Sequence, residues 1–360
     1  MQDRITQNSI AQALGLSIKT VQRAFSGSDK VAEGTKTSIH NYAAMVGYSC
    51  NRSARSLVRN NLRSIHLFSS SSPHYFWSRV AGGMKSALRE IRDFGYSATY
   101  HPVAAKNTGA YMKELQRAAG AGMDAAAVVN NPEYDMGRIF GFLDRRKIPY
   151  ITLNIDAVET NRLGFLGPDY GAGGRLAAEF LGKTIRGSGR ILIIHNPVDS
   201  EHILAGAHIN EERLLHFVSY LSVHFPRIEH QVVSFGSRQS RAEIRQELDE
   251  ILTDEADSFS GIYSIADIQE LLGRQILRHG LESRYIILVH GVNLETEMFL
   301  KSHAFTAAIH QNPFRQGYFA VRILEYYLEN EAMPSSIPAV PQGILLGNSM
   351  ADQDDFWRID

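Results

Sequence analysis

The sequence predicts an α/β protein in two unlike parts: an N-terminal all-α helix-turn-helix head and a two-lobed, parallel-sheet α/β body. Three observations predict it. Two short helical patterns broken at Gly15 open the chain, the signature of a helix-turn-helix. From Ser64 onward, short apolar strand patterns alternate with helical ones, which means βαβ units and parallel sheet. That alternation supplies too many strands for one comfortable sheet, so two lobes with a cleft between them fit better. At 360 residues and 44% hydrophobic content, the chain is long and apolar enough for two or three domains with a real core.

In the head, Ile10, Ala13 and Leu14 fall at helical spacing and give the first helix an apolar face. Thr6 stands where it can cap that helix. Gly15 supplies the tight turn. Ser17 caps a second helix with Thr20, Val21 and Ala24 inward, and with Ile18, Lys19, Gln22 and Arg23 outward. A third helix runs from Glu33 to Val46, burying Ile39, Tyr42, Ala43 and Val46, and stops at Gly47. The second helix of such a pair lies in a DNA major groove. Charge agrees. Residues 1–63 hold nine Lys/Arg against three Asp/Glu, a net of +6; the whole chain is −1, so the remainder carries −7. A basic head on an acidic body is an electrostatic footprint for nucleic acid at one end. The basic stretch Tyr48 to Arg63 is too poor in apolar residues to bury a face alone, and is expected to order only against a partner.

Residues 5–63 resemble the lactose-repressor (LacI/GalR) family of transcription regulators. The matching pieces are Ala11, Gly15, Ser17, Thr20-Val21, Arg23, Val31, Thr35, Gly47-Tyr48, Asn51 and Ala54-Arg-Ser-Leu57. The resemblance implies a hinge helix over 51–59 that folds on DNA. Leu57 would be the wedge in the minor groove, Ala54 would pack on the partner's hinge, and Arg55 would touch groove or backbone, with Asn51 at its start. It also assigns roles in the head. Arg23 would read guanine, for about 1–3 kcal/mol of discrimination, with Ile18 and Lys19 as further base readers. Gln7, Ser17, Thr20, Gln22, Ser26, Lys30 and Thr35 would contact the DNA beside them, mostly at phosphates. Gln22 replaces the family's usual Ser, and Ala32 leaves the third helix without its usual cap.

In the body, Ser64–Phe68 is the first strand pattern, and Phe76 to Phe94 a helix stopped by Gly95. Tyr96–His101, Ala125–Val129 and Pro149–Leu153 are strands, separated by helices over 109–120 and 136–146. The pattern then repeats. A helix over 176–181, a strand over Arg190–His195 and a helix over 212–223 lead to strands at 231–235, 261–264, 284–290 and 305–309. In such sheets, ligands bind outside the strand carboxyl ends.

Residues 64 to about 347 resemble the sugar-type periplasmic-binding-protein fold. The resemblance is carried by Ser71 to Trp77, Gly82, Gly95-Tyr96, Ile148 to Leu153, Leu166 to Gly171, Ala308 to Pro313 and Gln316-Gly317. It implies a head over 1–50, a hinge and linker over 51–63, an effector domain over 64–347 and a tail over 348–360. Lobe one would hold 64–162 and 292–318; lobe two would hold 163–291 and 319–347.

Strand ends and the resemblance together nominate the effector residues. Tyr75, Phe76 and Trp77 are three aromatics on the first strand-to-helix loop, suited to stacking on a sugar. Asn154, Asp156 and Asp169 follow apolar strands. Gln311 matches the family's sugar-binding Gln, Arg213 an arginine that often meets ligand, and Asp267 and Asn293 complete the set. Carboxylates expected at Asn154 and at His290-Gly291 are missing, which points to an anionic or otherwise altered carbohydrate.

Other chemistries lack their residues. Gly171 to Gly174 has neither the Walker lysine nor a dinucleotide fingerprint, and reads as close helix packing. The 14 histidines show no metal-ligand spacing, and Cys50 as the only cysteine excludes an internal disulfide. No cofactor, metal or catalytic constellation is expected, and the protein is not expected to be an enzyme. A transport receptor would need an export signal; no such signal and no membrane span is read, so a cytoplasmic location is expected. The expectation is a homodimeric repressor of carbohydrate catabolic genes. Its partners would be near-palindromic double-stranded operator DNA and a small carbohydrate effector. Corepression and activation are left open, and a sugar-modifying enzyme is the alternative of another class.

Overall fold

The structure is a computed structural model that describes residues 6–25, 30–46, 62–104, 107–197, 208–236, 239–254 and 258–350. The head holds three helices, α1 (Gln7–Ala13), α2 (Ile18–Phe25) and α3 (Glu33–Met45). Thr6 and Ser9 form a reciprocal capping box at α1: Ser9 N–H donates to Thr6 Oγ1 (3.1 Å) and Thr6 N–H to Ser9 Oγ (2.8 Å). Gly15 takes φ +63° in the turn, where a side chain would be strained. Ile10, Ala11, Val21, Ala24, Val31, Ile39 and Ala43 make the small core. One expectation is corrected: Ala13 is exposed and Ala11 buried, because the stripe that meets α2 and α3 runs one residue earlier.

The body is two parallel-sheet lobes. Sheet one has the order β2-β1-β3-β4-β5, from β1 (Arg63–Ser70), β2 (Tyr96–Val103), β3 (Ala125–Val128), β4 (Tyr150–Leu153) and β5 (Phe165–Leu166). Its register sets Ile65 beside Ala98 and Ala125. The helices α4 (His74–Ile91), α5 (Thr108–Gly120) and α6 (Met136–Arg146) link its strands. Sheet two contains β6 (Ser188–His195), β7 (Arg227–Ser234), β8 (Gly261–Ser264), β9 (Ile286–His290), β10 (Ala307–His310) and a short antiparallel edge, β11 (Gly343–Leu345). It is served by α7 (Tyr170–Thr184), α8 (Ile209–His224), α9 (Arg241–Asp254), α10 (Gln269–His279) and α11 (Leu294–Lys301). Strands β3, β4, β8 and β10 are buried along their whole length, as expected of parallel strands covered on both faces.

The division between lobes departs from expectation. β10 pairs with β9, so residues 292–310 belong to lobe two. The long helix α12 (Pro313–Asn330) lies across lobe one, where Val321 and Leu324 join the core of Ile65, Val80 and Ile151. The chain therefore crosses near 166–170, 310–313 and 331–343. The physical reason is a backbone-to-backbone fit between α4 and α12. A Cβ on Gly317 would lie 1.8 Å from Val80 O, and one on Gly83 would lie 1.9 Å from Phe314 O. Only glycine permits that approach.

Helix α7 also starts six residues earlier than its apolar pattern suggests, with Gly171 to Gly174 inside its first turns. A Cβ on Gly174 would sit 2.3 Å from Arg213 O of α8. That is the close packing anticipated for this glycine run. No described helix is long and apolar enough to cross a membrane.

Candidate functional site

The head presents α2 as its polar face. Ile18 is 44% exposed, and Lys19 and Gln22 are exposed beside it, while Val21 and Ala24 face inward. Arg23 is half-buried. Ser17 Oγ accepts from Thr20 N–H (3.1 Å) and lies 2.8 Å from Thr20 Oγ1, so both hydroxyls are engaged at the start of α2. Gln7 and Thr35 are half-buried and Lys30 is exposed. Ser26, Asn51, Ala54, Arg55 and Leu57 lie outside the described residues.

In the body, the carboxyl ends of both sheets converge on the crossovers, and a chain of polar contacts runs along them. Asn154, just past β4, takes φ +62°, a left-handed conformation Asn tolerates. Its amide donates to Gln316 Oε1 (3.1 Å), and Gln316 Nε2 donates to Gln311 O (2.9 Å). Arg213 Nη2 donates to Gln311 Oε1 and its Nη1 to Asn210 Oδ1, both at 2.9 Å. Asn210 in turn donates to Asn196 Oδ1 (2.9 Å). Tyr170 donates its hydroxyl to Asn154 O and places its ring 5.1 Å from the Arg213 guanidinium carbon. Gln342, from the last crossover, donates to Asp169 O (2.5 Å) and lies 3.4 Å from His290 Nε2. Lobe one, lobe two and the crossovers near 166–170 and 310–313 thus share one hydrogen-bonded floor, with the Gln342 contacts of the last crossover forming a separate set.

Burial sets its electrostatics. Arg213 is 4% exposed, and desolvation lowers its pKa from the usual range. His290 is held well below the ordinary imidazole value by burial and then by the Arg213 charge. His310 falls to about 3, by burial and by the charge of Arg79. His195 is lowered by burial, so the three histidines at the ends of β6, β9 and β10 are neutral near pH 7. Buried polar atoms without a partner are uncommon in folded proteins. Among the described residues, Asn130 Oδ1, His195 Nε2 and Arg213 Nε are such atoms, and Asn130 and His195 stand at or just past strand carboxyl ends.

The nominated residues separate into two groups. Arg213, Gln311 and Asn154 meet on the floor. Asp267 stands at the end of β8, open to solvent yet hemmed in by protein; desolvation, then Glu295, pushes its carboxyl up. The others are engaged by neighbouring residues of the fold. Trp77 lies in the lobe-one core with its indole N–H on Ser72 O (3.2 Å), and Phe76 packs against that core. Tyr75 to Trp77 belong to the first turn of α4, not to a loop, and Tyr75 sits under Arg79 at 4.6 Å. Asp156 is held by Arg162 through two contacts of 2.5 and 2.8 Å, by Thr152 and by Ala157 N–H. Asp169 caps α7 and Asn293 caps α11. Sequence reasoning missed Asn130, His195, Asn210, Gln316 and Gln342. Asn130 and His195 carried the same strand-end signal that singled out Asn154. Among the described residues, no group of three or more His, Cys, Asp or Glu is placed to hold a metal ion.

Comparison with known proteins agrees with this architecture. Residues 65–332 match the periplasmic binding protein domain family. The HTH-type transcriptional regulator CelR of Thermobifida fusca is 25% identical over 289 residues, 76% of this chain and 77% of its own. A Bacteroides fragilis protein assigned as a LacI transcriptional regulator superposes with a TM-score of 0.69 at 18% identity, covering 83% of this chain and all of its own. GanP, a glucose-galactose binding protein from Geobacillus stearothermophilus, superposes at 0.66 and 18% identity, covering 81% and 100%. With residues 65–332 matched to its model, the chain belongs to the periplasmic-binding-protein domain family.

Proposed function

We propose that this protein is a homodimeric DNA-binding repressor of carbohydrate catabolic genes, released from its operator by a small sugar-like effector in the interlobe cleft. The observation that carries the reading is one chain joining a three-helix head to a two-lobed body whose interlobe crossovers carry a polar floor. A ligand seated on Arg213, Gln311 and Asn154 touches the segments whose geometry sets the angle between lobes. It shifts DNA affinity only as far as it binds one lobe arrangement more tightly than the other. Exposed Leu294 and Met298, one turn apart on α11, and nearby Leu346 support a subunit interface on lobe two. Two-fold symmetry in the protein then requires a near-palindromic operator. In the head, Arg23, Ile18 and Lys19 read bases; the hinge residues Asn51, Ala54, Arg55 and Leu57 complete the contact.

The test is selection of binding sites from random duplex DNA with the full chain, followed by affinity measurements across salt concentrations. Enrichment of a near-palindrome, with affinity falling steeply in salt, is expected. No enriched sequence would refute the regulator reading. It would favour a ligand-binding body of the kind seen in GanP, the second reading that the fold likeness supports.

A further inference from the structure

We propose that the cleft ligand carries an oxyanion, a carboxylate or phosphate on a polyhydroxylated frame, and that this group supplies the directly bonded counter-charge that no described residue gives Arg213. The proposal rests on the effector reading above and narrows its ligand class. A guanidinium taken out of water is costly unless a negative charge compensates it. Arg213 is 4% exposed, yet among the described residues it hydrogen-bonds only to the neutral acceptors Asn210 Oδ1 and Gln311 Oε1 and lies against the face of Tyr170. Its Nε has no partner at all. Among the described residues no carboxylate hydrogen-bonds to Arg213, although Glu211 keeps one buried oxygen without a hydrogen bond. Asp156 is locked to Arg162, and Asp169 caps α7 beside Arg175. Glu212 is exposed and acts on Arg213 only through its charge, which opposes the desolvation of the guanidinium. Glu211 acts on His195, and Asp267 faces the like charge of Glu295.

A second cation, Arg79, lies over the Tyr75 ring on the lobe-one side, and its charge reaches His310, the residue before Gln311. Planar, forked donors of this kind match carboxylate and phosphate oxygens. His195 Nε2 and Asn130 Oδ1, which have no hydrogen-bond partner, are left to meet hydroxyl groups.

The test uses the full chain and matched ligand sets: D-glucose, D-gluconate and glucose 6-phosphate; D-galactose, D-galactonate and galactose 6-phosphate; D-ribose, D-ribonate and ribose 5-phosphate. Melting temperature screens each set, and calorimetry measures Kd for the responders. An acid or phosphate binding at least about ten-fold more tightly than its neutral parent is expected. The carboxylate and phosphate arms tell which oxyanion it is. Gln311→Glu places a carboxylate 2.9 Å from the Arg213 donor; it should raise the melting temperature of the ligand-free protein and remove the preference for the anion. If Gln311→Glu fails to fold, Arg213→Gln replaces it, and an anion preference that survives Arg213→Gln overturns the role given to Arg213. A neutral parent binding as tightly as its acid overturns the anion proposal while leaving the effector reading in place. No response from any member of any set, with operator binding intact, counts against both.

Discussion

Replacing Asp156 tests whether this carboxylate serves the fold or the ligand. It accepts two contacts from Arg162, one from the Thr152 hydroxyl and one from Ala157 N–H, while the Asp156 and Arg162 side chains are only 15% and 22% exposed. Asp156→Ala removes the acceptor and leaves a mostly buried guanidinium without its partner. Breaking such a pair costs about 3–5 kcal/mol; partial solvent access places this one near ~3 kcal/mol. In a body this large, roughly 2 °C of melting temperature accompanies each kcal/mol, so a drop of roughly 6 °C is expected. Asp156→Asn separates charge from shape. Despite the desolvation that opposes it, hydrogen bonding to Arg162, Thr152 and Ala157 leaves the folded carboxyl below its ordinary value. A depressed carboxyl stabilises the fold above its unfolded pKa of about 3.9, and loses that contribution as pH falls toward the folded value. The gap between wild type and Asp156→Asn should therefore be constant above about pH 5 and shrink below about pH 4. The assay is thermal unfolding across pH, with ligand response read in parallel. An unchanged melting temperature together with a lost ligand response would refute the structural role and return Asp156 to the binding site.

Gly317→Ala should destabilise lobe one by about 2 kcal/mol or more, seen as a lower urea midpoint, because overpacking against Val80 O outweighs the roughly 1 kcal/mol gained in helix propensity. His66, buried and bonded to His101 and Ser64, has its pKa lowered to about 4 by burial and then by the charge of His101. Between that value and an unfolded pKa of about 6.5 the unfolded chain binds the extra proton, so stability should fall as pH drops through this window. The loss is on the order of 2–3 kcal/mol by pH 4, and His66→Gln should flatten the slope in chemical denaturation. Thr6→Ala removes one half of the α1 capping box and should cost about 1 kcal/mol, read as faster hydrogen exchange of the α1 amides.

Much of the architecture was legible from local pattern. The helix over Met136–Arg146 and the strand over Gly261–Ser264 carry their own periodicity and boundaries, and both coincide with the structure. The start of α7 was hidden because Gly171-Ala-Gly-Gly174 has no apolar helical periodicity of its own, although its close packing was legible; α8 comes within reach only of a bare backbone there. In the cleft, Arg213, Gln311 and Asn154 stood out in sequence and meet in space. Asp156, Asp169 and Asn293 stood out equally, since a polar residue after a strand has the same local signature whether it faces a ligand, an arginine or a helix terminus.

The sequence by itself determined the two-part design. Charge segregation, the Gly15 break and the alternation of strand and helix are local properties that every stretch states for itself. Only the tertiary structure decided which lobe each late element joins, which carboxylates are already neutralised, and that the Arg213 guanidinium hydrogen-bonds, among the described residues, to neutral acceptors. Those are facts of long-range pairing: Val80 with Gly317, Asp156 with Arg162, and Arg213 with Gln311 across 98 positions of chain. Burial and partnership depend on which distant segments the fold brings together, and no local pattern encodes them.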